Sequence, residues 1–108
     1  MSRRAAIIVL DGLGIGPAHD ADAYDDTGSD TLGNTLRTAE GLRLPHLEAL
    51  GLGNCATLAG VPPAAAPTAA WGTCQPIGAG KDSTTGHWEI CGLPLQHGVV
   101  ERERIKLA

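Results

Sequence analysis

A run of three hydroxyl side chains, Ser83, Thr84 and Thr85, follows a Gly-Lys-Asp turn and precedes an apolar, helix-competent segment. The first turn of a helix has backbone N–H groups without intrahelical partners, and these groups and the helix dipole favour a bound phosphate. A serine or threonine there can accept a phosphoryl group when a base or a metal removes its proton. Because Asp82 and the three hydroxyls can also cap a helix, capping is the alternative, and on residue types alone it is the more frequent use.

A second residue with chemical potential, Asp11, lies far away in the sequence at the end of the apolar run Ala5–Leu10. That run is too short for a core helix, and its β-branched centre predicts a strand buried on both faces of a parallel sheet. Open α/β sheets bind ligands beyond the carboxyl ends of their strands, which is where Asp11 falls. A helix cap or a buried turn aspartate is the structural alternative for Asp11.

Three common ligand-binding motifs are not supported by the spacing. The glycines after the first apolar run follow G-x-G-x-G and then a proline, which disfavours a dinucleotide loop and favours a backbone turn close to a ligand. Gln75 and Asp82 stand where a P-loop around Gly80-Lys81 needs a glycine and a hydroxyl residue. The acidic segment His19–Asp30 lacks the EF-hand register, which favours a solvated loop over a calcium site.

The composition indicates one small acidic domain with few large apolar side chains. The chain has 108 residues and a net charge of −4, which argues against non-specific nucleic-acid binding. Hydrophobic residues make up 43%, but many are alanine and none is phenylalanine, so we expect a thin core that belongs to a larger protein. Because no apolar run approaches the roughly 20 residues that span a bilayer and the amino terminus is a poor signal peptide, we expect a cytoplasmic protein without a membrane partner.

Local signals predict several elements along the chain. A helix is expected over residues 29–39, capped by Ser29 or Asp30, and a shorter one over residues 44–51, with Pro45 at its first position and Gly51 at its end. An uncharged connector rich in Pro and Ala is expected over residues 59–70, a short strand over 71–74 and a helix over 87–93. A surface position is expected for His46.

The cysteines are three in number and widely spaced, at Cys55, Cys74 and Cys91. No CxxC pair is present, so neither a zinc ribbon nor a redox pair is supported. We therefore expect free, buried thiols.

Four motifs in chain order carry a more specific signal. They are D-G-L-G-I-G at residues 11–16, G-S-D-T-L-G at 28–33, L-P-H-L at 44–47 with L-G-L-G at 50–53, and G-K-D-S-T-T-G-H-W-E at 80–89. Together they closely resemble the amino-terminal part of phosphopentomutase, an enzyme family of the alkaline phosphatase superfamily. The resemblance covers about residues 5–93, and its last motif is highly specific.

The resemblance implies an α/β fold. The expected architecture is a partial alkaline-phosphatase-like core of parallel strands with flanking helices, truncated before the cap domain and the carboxyl-terminal half of the family. Residues 1–93 would form the amino-terminal part of the catalytic domain, and residues 94–108 would be a divergent tail.

The resemblance also implies an activity and a site. The family interconverts ribose or deoxyribose 1-phosphate with the 5-phosphate through a phosphorylated enzyme and two manganese ions. Asp11 matches a metal-ligating aspartate. Ser83 matches the phosphorylated residue, which is usually threonine in the family and also ligates metal. Thr84 and Thr85 are second choices for the phosphorylated residue. Asn34 stands where the family commonly has a histidine, with unknown effect.

The remaining metal ligands of the family lie far downstream in a much longer chain, and His87 and His97 are not assumed to replace them. We therefore expect the 108-residue chain to be inactive by itself. Sugar phosphates are the expected partners, and the sequence specifies neither the oligomeric state nor the preferred sugar. Two alternatives stay open: another phosphomutase of the superfamily, such as a cofactor-independent phosphoglycerate mutase, and a non-enzymatic remnant. The wording T-G-H-W-E favours the pentomutase.

Overall fold

The computed structural model describes residues 2–80 and 82–95, and these residues fall into two compact units divided between Thr73 and Cys74. The first unit contains a one-turn 3-10 helix, Ala21–Tyr24, and three short α-helices, α1 (Thr31–Thr38), α2 (Pro45–Leu50) and α3 (Leu52–Cys55). The second unit contains α4 (Ser83–Ile90). Lys81, His97 and most of the expected tail lie outside the described residues, so the boundary at residue 94 stays a prediction.

Helix α1 confirms the first predicted helix and identifies its cap. Asp30, not Ser29, is the capping residue, and its side chain accepts a hydrogen bond from the backbone N–H of Gly33 at 3.1 Å. The predicted apolar face is also present, because Leu32 and Leu36 are each only 5% exposed. The cap and the i, i+4 leucine pair therefore determine where this helix begins and which face it buries.

Helix α2 confirms the second predicted helix, with Pro45 at its first turn and Gly51 at its carboxyl end. Gly51 has φ of +112°, a conformation that favours glycine, and α3 begins directly after it. A Cβ atom at Gly51 would lie 2.8 Å from Cδ1 of Trp71, so the site also lacks room for a side chain. The four-residue helix α3 was not predicted, because one turn carries no readable periodicity.

The core of the first unit is small, as the composition predicts. Its buried members are Leu32, Leu36, Leu58 and Val61, with Leu44, Leu52 and Ala56 packed against them. The connector rich in Pro and Ala continues from this core, and Asn54 fixes it through two hydrogen bonds to the backbone of Ala64, at 3.1 and 2.8 Å.

The predicted strands are not observed in the described part of the chain. The β pairing there is an isolated bridge between Leu58 and Val61, and residues 5–10 and 71–74 form no strand. The apolar run is exposed rather than buried, with Ile7 71% and Ile8 87% accessible to solvent. A buried parallel strand needs hydrogen-bonding neighbours and covering helices, and residues 2–80 and 82–95 provide none for this segment. The parallel-sheet core is therefore unconfirmed.

Other expectations meet mixed outcomes. The three thiols are free, and Cys55 is half-buried, but Cys74 and Cys91 are exposed, so the prediction of burial is wrong for these two. His46 is exposed, as expected. The acidic segment includes the 3-10 turn and a buried Ala21.

Among the described helices, none has the length and apolar character needed to cross a membrane.

Candidate functional site

The hydroxyl run lies at the start of α4, which begins four residues earlier than the helix predicted over residues 87–93. Asp82 is the capping residue, and its carboxylate accepts a hydrogen bond from the Thr85 N–H at 2.9 Å. The Thr85 hydroxyl in turn donates to the Asp82 carbonyl oxygen at 3.0 Å, and Thr85 is only 3% exposed. Asp82 is thus the cap of α4, and the buried Thr85 hydroxyl is hydrogen-bonded to a backbone carbonyl oxygen.

Ser83 and Thr84 lie in the same turn but face solvent. Ser83 is the first residue of α4, so its hydroxyl lies beside the N–H groups of a helix amino terminus. Thr85 packs closely against Gly80, where an added Cβ atom would collide with the Thr85 side chain. The structure therefore separates the three hydroxyls: two exposed, and one buried as a support.

The charge state of the cap follows from its contacts. The hydrogen bond from the Thr85 backbone N–H holds the pKa of Asp82 below its ordinary value of 3.8, because it stabilises the carboxylate. Asp82 is therefore ionised at neutral pH, and its negative charge at the helix amino terminus is favourable.

Glu89, near the end of α4, binds the segment that precedes the motif. Its two carboxylate oxygens accept hydrogen bonds from the backbone N–H groups of Ile77 and Gly78, at 2.6 and 3.1 Å. The Ala79 N–H also donates to the Leu95 carbonyl oxygen at 3.3 Å. The sequence does not predict this role of Glu89, because no local pattern shows which distant backbone groups a glutamate will bind.

Replacing Glu89 with alanine should release residues 77 and 78. Hydrogen bonds to a charged group contribute about 1.5–3 kcal/mol, so we expect the Ile77 and Gly78 amides to exchange at least about tenfold faster in the variant. Amide hydrogen exchange followed by NMR measures this change, and Glu40→Ala, at an exposed position of the first unit, is the matched control. Equal exchange in both variants would contradict the assigned contact.

Asp11 occupies an exposed turn in the first unit. The Leu13 N–H donates to the Leu10 carbonyl oxygen at 3.3 Å, which closes a four-residue β-turn. Gly12, the third residue of the turn, has φ of +71°, as a type II turn requires at that position. Asp11 precedes no helix and is exposed, so the structure supports neither the cap nor the buried-turn alternative.

The loop after Asp11 is attached to the start of α1 by two hydrogen bonds. Asp30 Oδ1 accepts the Gly16 N–H at 3.0 Å, and the Leu32 N–H donates to the Gly14 carbonyl oxygen at 3.1 Å. Asp30 Oδ2 also pairs with Arg37 at 3.3 Å. The hydrogen bonds to the Asp30 carboxylate, from Gly16 first and then from Gly33 and Arg37, lower the pKa of Asp30 below its ordinary value, because they stabilise the carboxylate.

Asn34 occupies the position where the family that the sequence resembles commonly has a histidine, and it lies on the exposed face of α1. Its side-chain oxygen accepts a hydrogen bond from Arg37, the residue that also pairs with Asp30. Asn34 thus takes part in the polar cluster that surrounds the cap of α1.

The lowered pKa of Asp30 gives a pH dependence. A carboxyl group whose folded pKa lies below its unfolded value of 3.8 contributes stability that is complete above that value and is lost as pH falls through the folded pKa. We expect the thermal midpoint to decline below about pH 3.8, and to decline less steeply in Asp30→Asn. Melting curves across this range measure the effect, and parallel curves for the two proteins would contradict it.

The two predicted site residues fall in different units, Asp11 in the first and Ser83 in the second, so a metal shared between them stays a prediction. A carboxylate and a hydroxyl are donors of the kind that manganese binds. Within residues 2–80 and 82–95, however, no three His, Cys, Asp or Glu side chains lie close enough together to hold a metal ion. Asp11 and Ser83 thus have suitable donor atoms, and the ligand set of the metal stays a prediction.

Comparison with known proteins gives the resemblance a quantitative basis. No family model matches the chain. Curated phosphopentomutases do: the protein from Anaeromyxobacter dehalogenans is 52% identical over 99 residues, which cover 92% of this chain and 26% of the relative. Those from Desulfitobacterium hafniense and Alkaliphilus metalliredigens are 51% and 46% identical over 87% and 88% of this chain, and 24% of each relative is covered.

The chain thus spans about a quarter of the length of the curated relatives it matches. It is homologous to one segment of an enzyme that, by its name, is a sugar phosphomutase. More particularly, it is a homologue of the amino-terminal segment of phosphopentomutases, which confirms the resemblance read from the four motifs. This homology is consistent with an alkaline-phosphatase-like fold.

Proposed function

We propose that this chain is the amino-terminal catalytic segment of a phosphopentomutase and that Ser83 is its phosphorylated residue. The observation that supports this proposal best is the exposed Ser83 at the first position of a capped helix, inside the G-K-D-S motif. The proposed reaction interconverts ribose or deoxyribose 1-phosphate with the 5-phosphate, as a phosphopentomutase would. The proposal includes sugar phosphates as partners and the cytoplasm as the compartment.

The geometry of α4 favours Ser83 over its two neighbours. The Thr85 hydroxyl is buried and hydrogen-bonded to Asp82, so its attack on a phosphate would require the first turn to open. Thr84 is exposed and remains the second choice. Asp82 fixes the turn from which Ser83 projects, and the neighbouring helix N–H groups favour a phosphate there.

In the proposed reaction, phosphoserine 83 gives its phosphoryl group to the free hydroxyl of a sugar monophosphate. The bond between phosphorus and the serine oxygen breaks, a bond to the sugar oxygen forms, and the proton of the sugar hydroxyl passes to the serine oxygen, which is released as a hydroxyl. The resulting bisphosphate then returns its other phosphoryl group to Ser83, which leaves the isomeric monophosphate. The net reaction moves one phosphate and consumes no co-substrate.

Asp11 is proposed to ligate manganese, and Ser83 to supply a second oxygen donor. Two manganese ions, when bound, supply positive charge that lowers the pKa of a hydroxyl and stabilises phosphate oxygens. Among the described residues, no three His, Cys, Asp or Glu side chains lie close enough together to hold a metal ion. We therefore propose that the 108-residue chain does not turn over substrate by itself.

A hybrid enzyme tests the proposed function. Residues 5–93 of this chain would replace the matching segment of the Anaeromyxobacter dehalogenans phosphopentomutase, and the hybrid and the 108-residue chain would each be assayed with ribose 1-phosphate and manganese. We expect turnover by the hybrid and none by the isolated chain. A folded hybrid without activity would favour a non-enzymatic remnant, and a hybrid active only on phosphoglycerate would favour the other phosphomutase.

A further inference from the structure

We infer that Asp30 is a positioning residue whose carboxylate sets the conformation of the loop that carries Asp11. The inference rests on the proposed function, because the position of Asp11 matters to catalysis only if Asp11 binds a metal. The resemblance to phosphopentomutases implies no positioning role for Asp30, and the inference comes from the hydrogen bonds of its side chain.

The contacts of Asp30 exceed what helix capping requires. A cap needs one hydrogen bond to the first turn, which the Gly33 N–H supplies at 3.1 Å. The same oxygen, Oδ1, also accepts the Gly16 N–H at 3.0 Å, from a residue 14 positions earlier in the chain. One carboxylate oxygen therefore joins the loop after Asp11 to the amino terminus of α1.

The loop depends on these polar bonds because apolar packing holds it weakly. Leu13 and Ile15 are 39% and 37% exposed, whereas Leu32 and Leu36 anchor α1 in the core. The Leu32 N–H also donates to the Gly14 carbonyl oxygen at 3.1 Å, which places the loop beside the anchored helix at a second point. The hydrogen bonds of Asp30 and Leu32 thus fix the position of the loop relative to α1.

Arg37 orients the carboxylate. Its guanidinium lies 3.3 Å from Oδ2, two turns further along α1, so Oδ1 is left to face Gly16 and Gly33. Such an arrangement fixes both oxygens of Asp30 at once. A shorter capping side chain has one oxygen and cannot reproduce it.

Serine at position 30 separates capping from positioning. Asp30→Ser keeps a good helix cap but lacks the reach to bind Gly16, Asp30→Ala removes both functions, and Asp30→Asn keeps an Oδ1 acceptor. In the 108-residue chain we expect at least about tenfold faster exchange of the Gly16 amide in the Ser and Ala variants, as for the loss of a hydrogen bond to a charged group, with the Gly33 amide protected in Ser. Asp30→Asn should restore most of the Gly16 protection, and Asp26→Ser, at an exposed position, is the control. Unchanged Gly16 exchange in Asp30→Ser would overturn the inference.

The hybrid enzyme supplies a readout that a merely structural role would not move. We expect Asp30→Ser to raise several-fold the manganese concentration that gives half-maximal activity, whereas a loss of folded protein lowers the maximal rate and leaves that concentration unchanged. An active hybrid whose manganese dependence is unaltered by Asp30→Ser would also overturn the inference. If the hybrid with Asp30 intact is inactive, the proposed function fails, and the Gly16 exchange in the isolated chain decides the inference.

Discussion

Replacing Ser83 with alanine in the hybrid enzyme should lower kcat by about 10⁴- to 10⁶-fold, the order of loss that follows deletion of a covalent nucleophile. The reason is chemical, because alanine leaves no oxygen to carry the phosphoryl group between the two sugar positions. The substitution leaves both capping hydrogen bonds between Asp82 and Thr85 in place, so we expect the variant to keep α4. Steady-state assays with ribose 1-phosphate and mass spectrometry of the phosphorylated peptide measure both aspects.

Two matched variants control the Ser83 experiment. Ser83→Thr keeps a hydroxyl and introduces the residue that the resemblance implies is usual at this position, so it should retain activity within about tenfold. Thr84→Ala removes the other exposed hydroxyl of the same turn and should have a smaller effect than Ser83→Ala. If Ser83→Ala is active and Thr84→Ala is not, the phosphorylated residue is Thr84.

Replacing Leu36 with alanine should destabilise the first unit by about 2–5 kcal/mol, the usual cost of removing a buried leucine side chain. Leu36 is 5% exposed and is one of the four buried members of the core cluster among the described residues, so few neighbours can move to fill the space it leaves. Whole domains are stabilised by only about 5–15 kcal/mol, so this loss would be a large part of the total. Urea unfolding followed by circular dichroism gives the change in free energy.

Leu50→Ala is the control for that measurement. Leu50 is the last residue of α2 and is 44% exposed, so the same change of side chain should cost less than about 1 kcal/mol. Similar losses in the two variants would show that Leu36 is not a core residue in solution.

The sequence predicted the features that depend on neighbouring residues. The helices over residues 31–38 and 45–50, the proline at the start of α2 and the glycine at its end follow from caps and short-range periodicity. The capping reading of Asp82 has the same local origin. The exposed state of residues 5–10 was not predictable, because a parallel strand is stabilised by other strands rather than by its own apolar pattern.

Taken alone, the sequence determined the order of the four motifs and the family that they resemble, since residue identities carry that information without any coordinates. The tertiary structure decided which of three adjacent hydroxyls is buried, and which distant backbone groups bind Asp30 and Glu89. The physical reason is that a carboxylate satisfies whichever N–H groups the folded chain brings within about 3 Å of it, and no spacing in the sequence specifies those partners.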